Sequence, residues 1–358
     1  MHPGAALVKY KVSYYAHHHG TGHLRHAQRL AELGGMELQV ASTGERRLDL
    51  LSGDLEYVAL PADAGPLQKH GKMRSGDALH YAPVGPGIQR RFTMLNQAWA
   101  RFAPDVVMVD VSVEVALFAR LSGYPVAFRR MPGDRTDPAH RLAYEVSDGI
   151  FGYFPAALED PAHLRDFGEK SHYLGVPGSM PAPTVPRAAR SRRRRVVVQT
   201  SLASSIPLRQ LADAAAASSG WQWEVAGAVD QDGTPLPPNL RLHGVLSDPT
   251  RTMSEADLVI SSAGHNAVVA AAASGRPVLL VPEDRPHGEQ LHFARALEEK
   301  AGVPVLGSWE TTVDWPDLLE RAVGTDPATL ASTLLVTPSC FSGALESMLA
   351  ACLETAGT

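Results

Sequence analysis

One segment, residues 258–282, limits the folds open to this chain more than any other. Residues 258–260 and 278–281 are short apolar runs, as expected for buried strands of a parallel sheet. Residues 265–273 between them are rich in Ala and Val and contain no helix breaker, and a Gly-Arg-Pro sequence follows. The segment therefore predicts a strand, a turn at Gly264, a helix and a second strand.

The helix of such a unit begins at the carboxyl edge of the sheet. Unpaired backbone N–H groups and the helix dipole attract an anion there, and a diphosphate is the candidate ligand. Glu289 and Gln290 follow the next strand, where a carboxylate and an amide could hold sugar hydroxyls. An ordinary crossover with a small-residue turn is the alternative. The residues expected to bind a nucleotide sugar here are Ser262, Gly264, His265, Asn266, Glu289 and Gln290.

The first half of the chain repeats this arrangement. An apolar strand from Val12 to Ala16 leads into the loop Gly20-Thr-Gly-His23, and an amphipathic helix from Leu24 to Leu33 follows. With 358 residues, of which 44% are hydrophobic and 20% charged, the chain suits two globular domains. Both halves therefore predict an α/β class with doubly wound parallel sheets.

The second half restarts after a stretch rich in Gly and Pro. We predict a first domain at residues 1–176, a linker at 177–194, a second domain at 195–340 and a last helix at 341–358. Thr200 and Ser201 follow the first strand of the second domain. Their hydroxyls are candidates for phosphate contacts, although both residue types are also common helix caps.

The motifs of residues 264–290 together carry a resemblance. Gly264-His-Asn, Gly275-Arg-Pro, Val281-Pro282 and Glu289-Gln290 resemble the donor signature of inverting GT-B glycosyltransferases. The chain is similar to glycosyltransferase family 28, which contains the bacterial lipid II N-acetylglucosaminyltransferase, and to plant and antibiotic glycosyltransferases. One departure concerns the Glu that these families carry six residues after the glycine to hold the ribose, because this chain has Ala270 there.

The resemblance implies a GT-B fold, in which two Rossmann-like domains face each other across a cleft, and a last helix that crosses back to the first domain. It implies a hexosyl- or N-acetylhexosaminyl-transferase that uses a nucleotide-sugar donor, expected to be uridine-linked, and a small-molecule or lipid-linked acceptor. Neither a cofactor nor a metal is expected, since the chain has no Asp-x-Asp motif in a suitable loop.

Inverting transfer needs a base for the acceptor proton, and His23 is the expected base. It follows the first glycine loop, and it aligns with the Gly-His that the family carries there; Gly22 is expected to lie beside the donor. Asp110 ends a neighbouring strand and could orient the imidazole, or it could cap the following helix. Glu114 is the alternative base. Acceptor contacts are expected from His19, Arg129 and Asp134.

Net charge and composition exclude some classes of function. A net charge of −5 argues against nucleic-acid binding through phosphate neutralisation. Cys340 and Cys352 lie too far apart on a predicted helix to form a disulfide, which predicts a reducing cytoplasm. The absence of a long apolar segment predicts a soluble protein, and the Arg192–Arg195 run allows at most peripheral membrane contact. We expect a monomer or a homodimer. A sugar-nucleotide epimerase of the same fold and a non-catalytic nucleotide-sugar binding protein are the alternative functions.

Overall fold

The first half of the chain forms a seven-stranded parallel sheet. The computed structural model describes residues 10–17, 22–47, 49–53, 55–63, 78–79, 81–178, 193–200, 206–230, 232–246, 249–310 and 312–357. The strands of the first sheet are β1 (Tyr10–Ala16), β2 (Met36–Thr43), β3 (Glu56–Leu60), β4 (Val106–Asp110), β5 (Val126–Arg129), β6 (Gly149–Gly152) and β7 (Ser171–Tyr173). Their order is β3-β2-β1-β4-β5-β6-β7, and a two-residue strand, β8 (Val176–Pro177), follows.

Helices cover both faces of this sheet, because its strands are apolar on both sides. Val106 and Met108 of β4 pack into one core, whereas Val107 and Val109 pack into the core on the opposite face. The helices of this half are α1 (Gly22–Leu33), α2 (Pro86–Phe102), α3 (Val113–Leu121), α4 (Pro138–Val146) and α5 (Pro161–Phe167).

The second half forms a five-stranded parallel sheet in the order β11-β10-β9-β12-β13. Its strands are β9 (Arg194–Gln199), β10 (Trp221–Ala226), β11 (Leu240–Gly244), β12 (Leu258–Ser261) and β13 (Val278–Leu280). Its helices are α6 (Leu208–Ala217), α7 (Pro249–Ser254), α8 (His265–Ala273), α9 (Glu289–Ala301), α10 (Trp315–Val323) and α11 (Pro327–Leu334).

The end of the chain returns to the first half. A short strand, β14 (Leu335–Val336), pairs with β8, and the 20-residue helix α12 (Pro338–Gly357) follows. Five apolar residues of α12 are buried in the core beneath the first sheet: Phe341, Leu345, Met348, Leu349 and Cys352. Gly149 of β6 makes this contact possible, because a Cβ there would lie 2.6 Å from Cys352 Sγ. The last helix is therefore part of the first core.

The predicted fold class is confirmed, since both sheets are parallel and helices pack on both faces. In the first half, α5 and β7 follow strand β6, and residues 303–306 join the second sheet through a bridge from Val305 to Leu280. The division into domains at 177–194 stays a prediction, because residues 179–192 lie outside the described ranges. Among the described helices, none combines the length and apolar character that a membrane span requires.

Candidate active site

His23 and Asp110 form a contact between α1 and β4. His23 Nδ1 lies 2.9 Å from Asp110 Oδ2; the carboxylate is fully buried, whereas 14% of the His23 side chain is exposed. An ionised carboxylate only accepts hydrogen bonds, so Nδ1 carries the proton and Nε2 carries the lone pair. His23 Nε2 is therefore an atom that can accept a proton from a bound ligand.

Asp110 is held in its ionised form by its neighbours. Arg129 Nη1 donates to both carboxylate oxygens, at 2.7 and 3.0 Å, and the Tyr14 hydroxyl donates to Oδ2 at 2.7 Å. Burial alone would raise the pKa of the Asp110 carboxyl, but the charge of Arg129 and the contact with His23 hold that pKa well below its usual value. Asp110 can therefore stabilise a protonated His23.

The backbone is strained where Asp110 leaves the sheet. Val111 has φ 66°, in the left-handed region that β-branched residues rarely adopt. Ser112 then caps α3 without a side-chain hydrogen bond to the helix. Such strain is found preferentially at functional sites, where surrounding contacts hold it.

One face of α1 carries His26 and Arg29 beside His23. The His26 ring stacks on Tyr153 at 4.2 Å between centroids. Its Nε2 lies 3.2 Å from Arg129 Nη2, and its Nδ1 lies 3.3 Å from Arg29 Nη1. A neutral imidazole accepts at only one nitrogen, so the His26 ring can accept a hydrogen bond from only one of these two guanidinium groups. Burial, followed by Arg129, lowers the pKa of His26 well below its usual value. The region therefore has more N–H donors than acceptors, and an anion would satisfy them.

The first turn of α8 lies against α1. Arg29 Nη1 donates to Asn266 Oδ1 at 3.2 Å, and a Cβ on Gly22 would lie 2.7 Å from Asn266 Nδ2. Gly22 directly precedes His23 in α1. The structure thus brings together two parts of the site, represented by Arg29 and Asn266, that lie 237 residues apart in the sequence.

His265 joins the two halves through its ring. Its Nε2 lies 2.7 Å from the Tyr153 carbonyl oxygen, which can only accept, so the proton is on Nε2. Nδ1 then carries a lone pair, and it is buried without a hydrogen-bond partner in the part of the chain that the structure describes. Consequently the ring does not supply a donor toward a phosphate, and any donation at this position comes from the backbone N–H at the start of α8.

Gln290 fixes the loops around Gly264. Its Oε1 accepts from the backbone N–H groups of Ala263 and Glu283, at 3.1 and 2.9 Å. Gly264 has φ −68°, so the backbone does not require glycine there. A Cβ there would lie at ordinary contact distances, 3.4 Å from Gln290 Nε2 and 3.8 Å from Ser262 Oγ, so it would fit. The same distances place the Gln290 amide and the buried Ser262 beside the start of α8.

Other residues predicted to bind the nucleotide sugar are engaged by protein contacts or lie outside the described ranges. The Thr200 hydroxyl donates to the Ala228 carbonyl at 2.8 Å, so it packs a loop rather than facing a ligand. Ser201 and His19 lie outside the described residues. Glu289, the first residue of α9, keeps 23% of its side chain exposed and contacts Arg135 of the first half.

Three more predicted residues lie in different places: Arg129 and Asp134, which were expected to contact the acceptor, and Glu114, the alternative base. Arg129 is only 4% exposed and is engaged by Asp110, so it lies buried beside the His23–Asp110 pair rather than on an exposed surface. Asp134 is exposed, and its Oδ1 accepts from the Thr136 hydroxyl at 2.6 Å. Within the described ranges, no hydrogen bond links Glu114 to His23; burial raises the pKa of Glu114. Glu114 faces a small apolar pocket lined by Leu79, Ala82, Leu117, Ala139, Leu142 and Ala143.

Four residues of the site were not predicted from the sequence: Tyr14, His26, Arg29 and Arg135. For His26 and Arg29 the sequence does contain a signal. His23, His26 and Arg29 are spaced three residues apart, which places them on one face of a helix, beside the apolar face of α1. Tyr14 and Arg135 act through partners that are distant in the sequence, which no local pattern indicates.

The buried histidines predict a loss of stability in weak acid. Burial, followed by the charge of Arg129, lowers the pKa of His265 to about 3, compared with about 6.5 in an unfolded chain. Below about pH 6.5 the unfolded state therefore binds the proton first, and the free energy of unfolding falls by up to about 1.4 kcal/mol per pH unit for each such histidine.

Urea unfolding between neutral pH and pH 5 measures this effect. We expect the free energy of unfolding to fall across that range, and to fall less steeply in His265→Gln. A wild-type free energy that stays constant from neutral pH to pH 5 would contradict a neutral, buried His265.

Comparisons with known proteins agree with this architecture. Residues 229–323, which include α8 and the Glu289-Gln290 pair, match the glycosyltransferase family 28 C-terminal domain. No curated protein sequence matches the chain. Solved structures do: spinosyn forosaminyltransferase has a TM-score of 0.69 at 16% identity, over 96% of this chain and 100% of that chain. Spinosyn rhamnosyltransferase complexed with thymidine diphosphate has a TM-score of 0.64 at 18% identity, over 94% of this chain and 100% of that chain.

A third solved structure is similar as well. MurG of Acinetobacter baumannii has a TM-score of 0.60 at 14% identity, and the match covers 95% of this chain and 99% of that chain. At such identities the structural likeness shows the fold, and the family match adds a sequence likeness in the segment that carries α8. The chain therefore shares the GT-B fold of these glycosyltransferases, and the family 28 match over residues 229–323 supports a glycosyltransferase.

Proposed function

We propose that this protein is an inverting, metal-independent glycosyltransferase. It moves a sugar from a nucleoside diphosphate sugar to a hydroxyl or amine of a small-molecule or lipid-linked acceptor. The observation that carries this proposal is the His23–Asp110 pair on α1 and β4, which lies beside the first turn of α8 in the other half.

His23 supplies the base. Its Nε2 removes the acceptor proton while the acceptor oxygen attacks the anomeric carbon from the side opposite the diphosphate. One C–O bond forms, the bond to the phosphate oxygen breaks with its electron pair leaving on the diphosphate, and the configuration inverts. Asp110 holds the ring through Nδ1 and stabilises the imidazolium that results.

The leaving diphosphate is stabilised by the start of α8. This nine-residue helix presents the backbone N–H groups of its first turn, with the partial positive charge of its dipole. Arg29, which lies next to Asn266 and His26 among surplus donors, adds a full positive charge at the same place. These groups stabilise the negative charge of the leaving diphosphate, as a divalent cation would in a metal-dependent enzyme.

The donor is expected to be a uridine diphosphate sugar, and a thymidine diphosphate sugar is the alternative to compare with it. Ala270 occupies the position at which the family carries the Glu that holds the ribose, so the ribose contact must differ from the family pattern. Spinosyn rhamnosyltransferase was solved with thymidine diphosphate and also with spinosyn aglycone. A thymidine-linked donor and a small-molecule acceptor are therefore included in the test.

Thermal unfolding in the presence of nucleotides tests the donor class. Uridine diphosphate, thymidine diphosphate and their hexose conjugates are compared with adenosine diphosphate as a matched control. A ligand at about a hundredfold its Kd stabilises the folded state by about 2.7 kcal/mol, which raises the melting temperature measurably. We expect a pyrimidine nucleotide to do so.

Two outcomes would contradict the proposal. One is that no nucleoside diphosphate or sugar conjugate raises the melting temperature. The other is the formation of an isomeric nucleotide sugar from the donor without an acceptor, which would indicate an epimerase instead.

A further inference from the structure

The two halves of the chain meet at a second place, which we name the clasp: residues 133–135 of the first half and residues 287–289 of the second. The Asp134 backbone N–H donates to the His287 carbonyl at 2.8 Å. In return, His287 Nδ1 lies 2.9 Å from the Asp134 carbonyl oxygen, to which it donates. Two segments about 150 residues apart are thus joined by reciprocal hydrogen bonds.

The backbone of the clasp is specialised for close approach. Gly133 has φ 107°, and a Cβ there would lie 2.7 Å from the His287 carbonyl oxygen, so a side chain does not fit. His287 has φ 62°, an uncommon conformation for a residue with a Cβ, and Gly288 follows at φ 59°. Glu289 then begins α9 directly after this turn.

Within the clasp, Arg135 joins Glu289 to His140 of α4 through a chain of hydrogen bonds. His140 Nδ1 lies 2.6 Å from Asp137 Oδ2, so Nδ1 is protonated and Nε2 accepts from Arg135 Nη1 at 3.2 Å. Burial, followed by the charge of Arg135, lowers the pKa of His140 to about 4, which keeps the ring neutral and able to accept. Arg135 Nη2 then donates to Glu289 Oε2 at 3.2 Å. The Arg135 side chain is 8% exposed, so this hydrogen-bond chain is largely shielded from water.

Glu289 depends on this contact for its orientation. In the described part of the chain, Arg135 makes the ion pair to the Glu289 carboxylate, and 23% of the Glu289 side chain remains exposed. One carboxylate oxygen of Glu289 is engaged by Arg135, and the remaining lone pairs of the carboxylate can accept hydrogen bonds from hydroxyl groups.

We propose that Arg135 is a positioning residue for sugar transfer, which fixes the Glu289 carboxylate against the hydroxyls of the donor sugar when the two halves are closed at the clasp. This inference rests on the proposed function, because it takes a nucleotide sugar as the ligand. It assigns to the acceptor half of the chain a part in recognising the donor sugar. The nucleoside diphosphate is expected to bind at the start of α8, so the proposal assigns the Glu289 contact to the sugar and not to the diphosphate.

The distinction between sugar and nucleotide gives a sharp test. Calorimetry on the full chain measures Kd for uridine diphosphate and for uridine diphosphate N-acetylglucosamine, or for the thymidine pair if those bind better. We expect Arg135→Leu to weaken binding of the sugar conjugate by about 10-fold, the loss typical of one charged hydrogen bond. Binding of the free diphosphate should change less than 2-fold, and the donor KM should rise with the conjugate Kd.

Matched variants separate positioning from a general loss of structure. Arg141→Leu removes an exposed arginine from α4, the helix that begins three residues after Arg135, and should leave both affinities unchanged. Glu289→Gln should weaken the sugar conjugate like Arg135→Leu, and the double variant should lose little more, because both changes remove one contact. Arg135→Lys should recover only part of the affinity, since an ammonium cannot span His140 and Glu289 as a planar guanidinium does.

The outcomes distinguish this inference from the function on which it rests. If the wild-type chain binds neither the diphosphate nor the conjugate, the proposed function fails and this inference with it. If the wild type binds both ligands, but Arg135→Leu weakens them equally or not at all, the function stands and the role of Arg135 is wrong. If Arg135→Leu does not fold, Glu289→Gln decides by the same comparison of the two ligands.

Discussion

Replacing His23 with alanine is expected to lower kcat by about 10²–10⁴-fold, the usual contribution of a general base. The change removes Nε2, the atom that takes the acceptor proton, and it leaves the donor contacts at α8 in place. Affinity for the nucleoside diphosphate should therefore stay close to that of the wild type. Initial rates at saturating donor, together with calorimetric binding, measure both quantities.

His172 provides the control for this experiment. It is a partly buried histidine on β7, so His172→Ala tests whether any histidine loss in the first half slows the reaction. We expect its kcat to match the wild type. A His23→Ala enzyme that keeps kcat within a few-fold of the wild type would exclude His23 as the base.

Replacing Asp110 with alanine is expected to lower the free energy of unfolding by about 3–5 kcal/mol, the usual cost of removing one partner of a buried ion pair. Arg129, 4% exposed, would keep its charge without its carboxylate, and the Tyr14 hydroxyl would lose its acceptor. Urea unfolding measures the loss. The double variant Asp110→Ala/Arg129→Met should be more stable than Asp110→Ala, because neither charge remains.

The pH dependence of this loss has a definite sign. The pKa of Asp110 is lowered in the folded state, despite burial, by Arg129 and His23, so its stabilising effect is complete above the unfolded pKa of about 3.9 and is lost as the pH falls below it. The difference between wild type and Asp110→Ala should thus shrink below about pH 4. Asp317→Ala, an exposed partner of Arg321, should leave the unfolding midpoint unchanged. An Asp110→Ala protein as stable as the wild type would contradict the buried pair.

Most of the fold follows from local sequence patterns. Apolar runs such as residues 106–109 and 196–198 predict strands that are buried on both faces, and the structure has them at β4 and β9. Helices α4 and α5 do not follow from an apolar pattern, because they are short. Their signal is an Asp-Pro start: Asp137 and Asp160 accept from backbone N–H groups of the first turn, and each is followed by Pro.

The candidate site is only partly accessible from the sequence. The loop-helix position of His23 and the strand-end position of Asp110 suggest that the two side chains meet, and their atoms lie 2.9 Å apart. The direction of the Arg129 side chain could not be predicted, because it depends on Asp110, which lies 19 residues away on the neighbouring strand. The Arg135–Glu289 contact likewise depends on how the two halves dock. Catalytic roles for all of these residues stay predictions until kinetics test them.

Donor hydrolysis tests the central claim most directly, because water replaces the unidentified acceptor. The enzyme is incubated with an α-linked uridine or thymidine diphosphate hexose, and proton NMR follows the anomeric signals before mutarotation. We predict that the wild type releases the β-anomer first and that His23→Ala does so at least about a hundredfold more slowly. Release of the α-anomer first, or an equal rate in His23→Ala, would contradict an inverting reaction that uses His23 as its base.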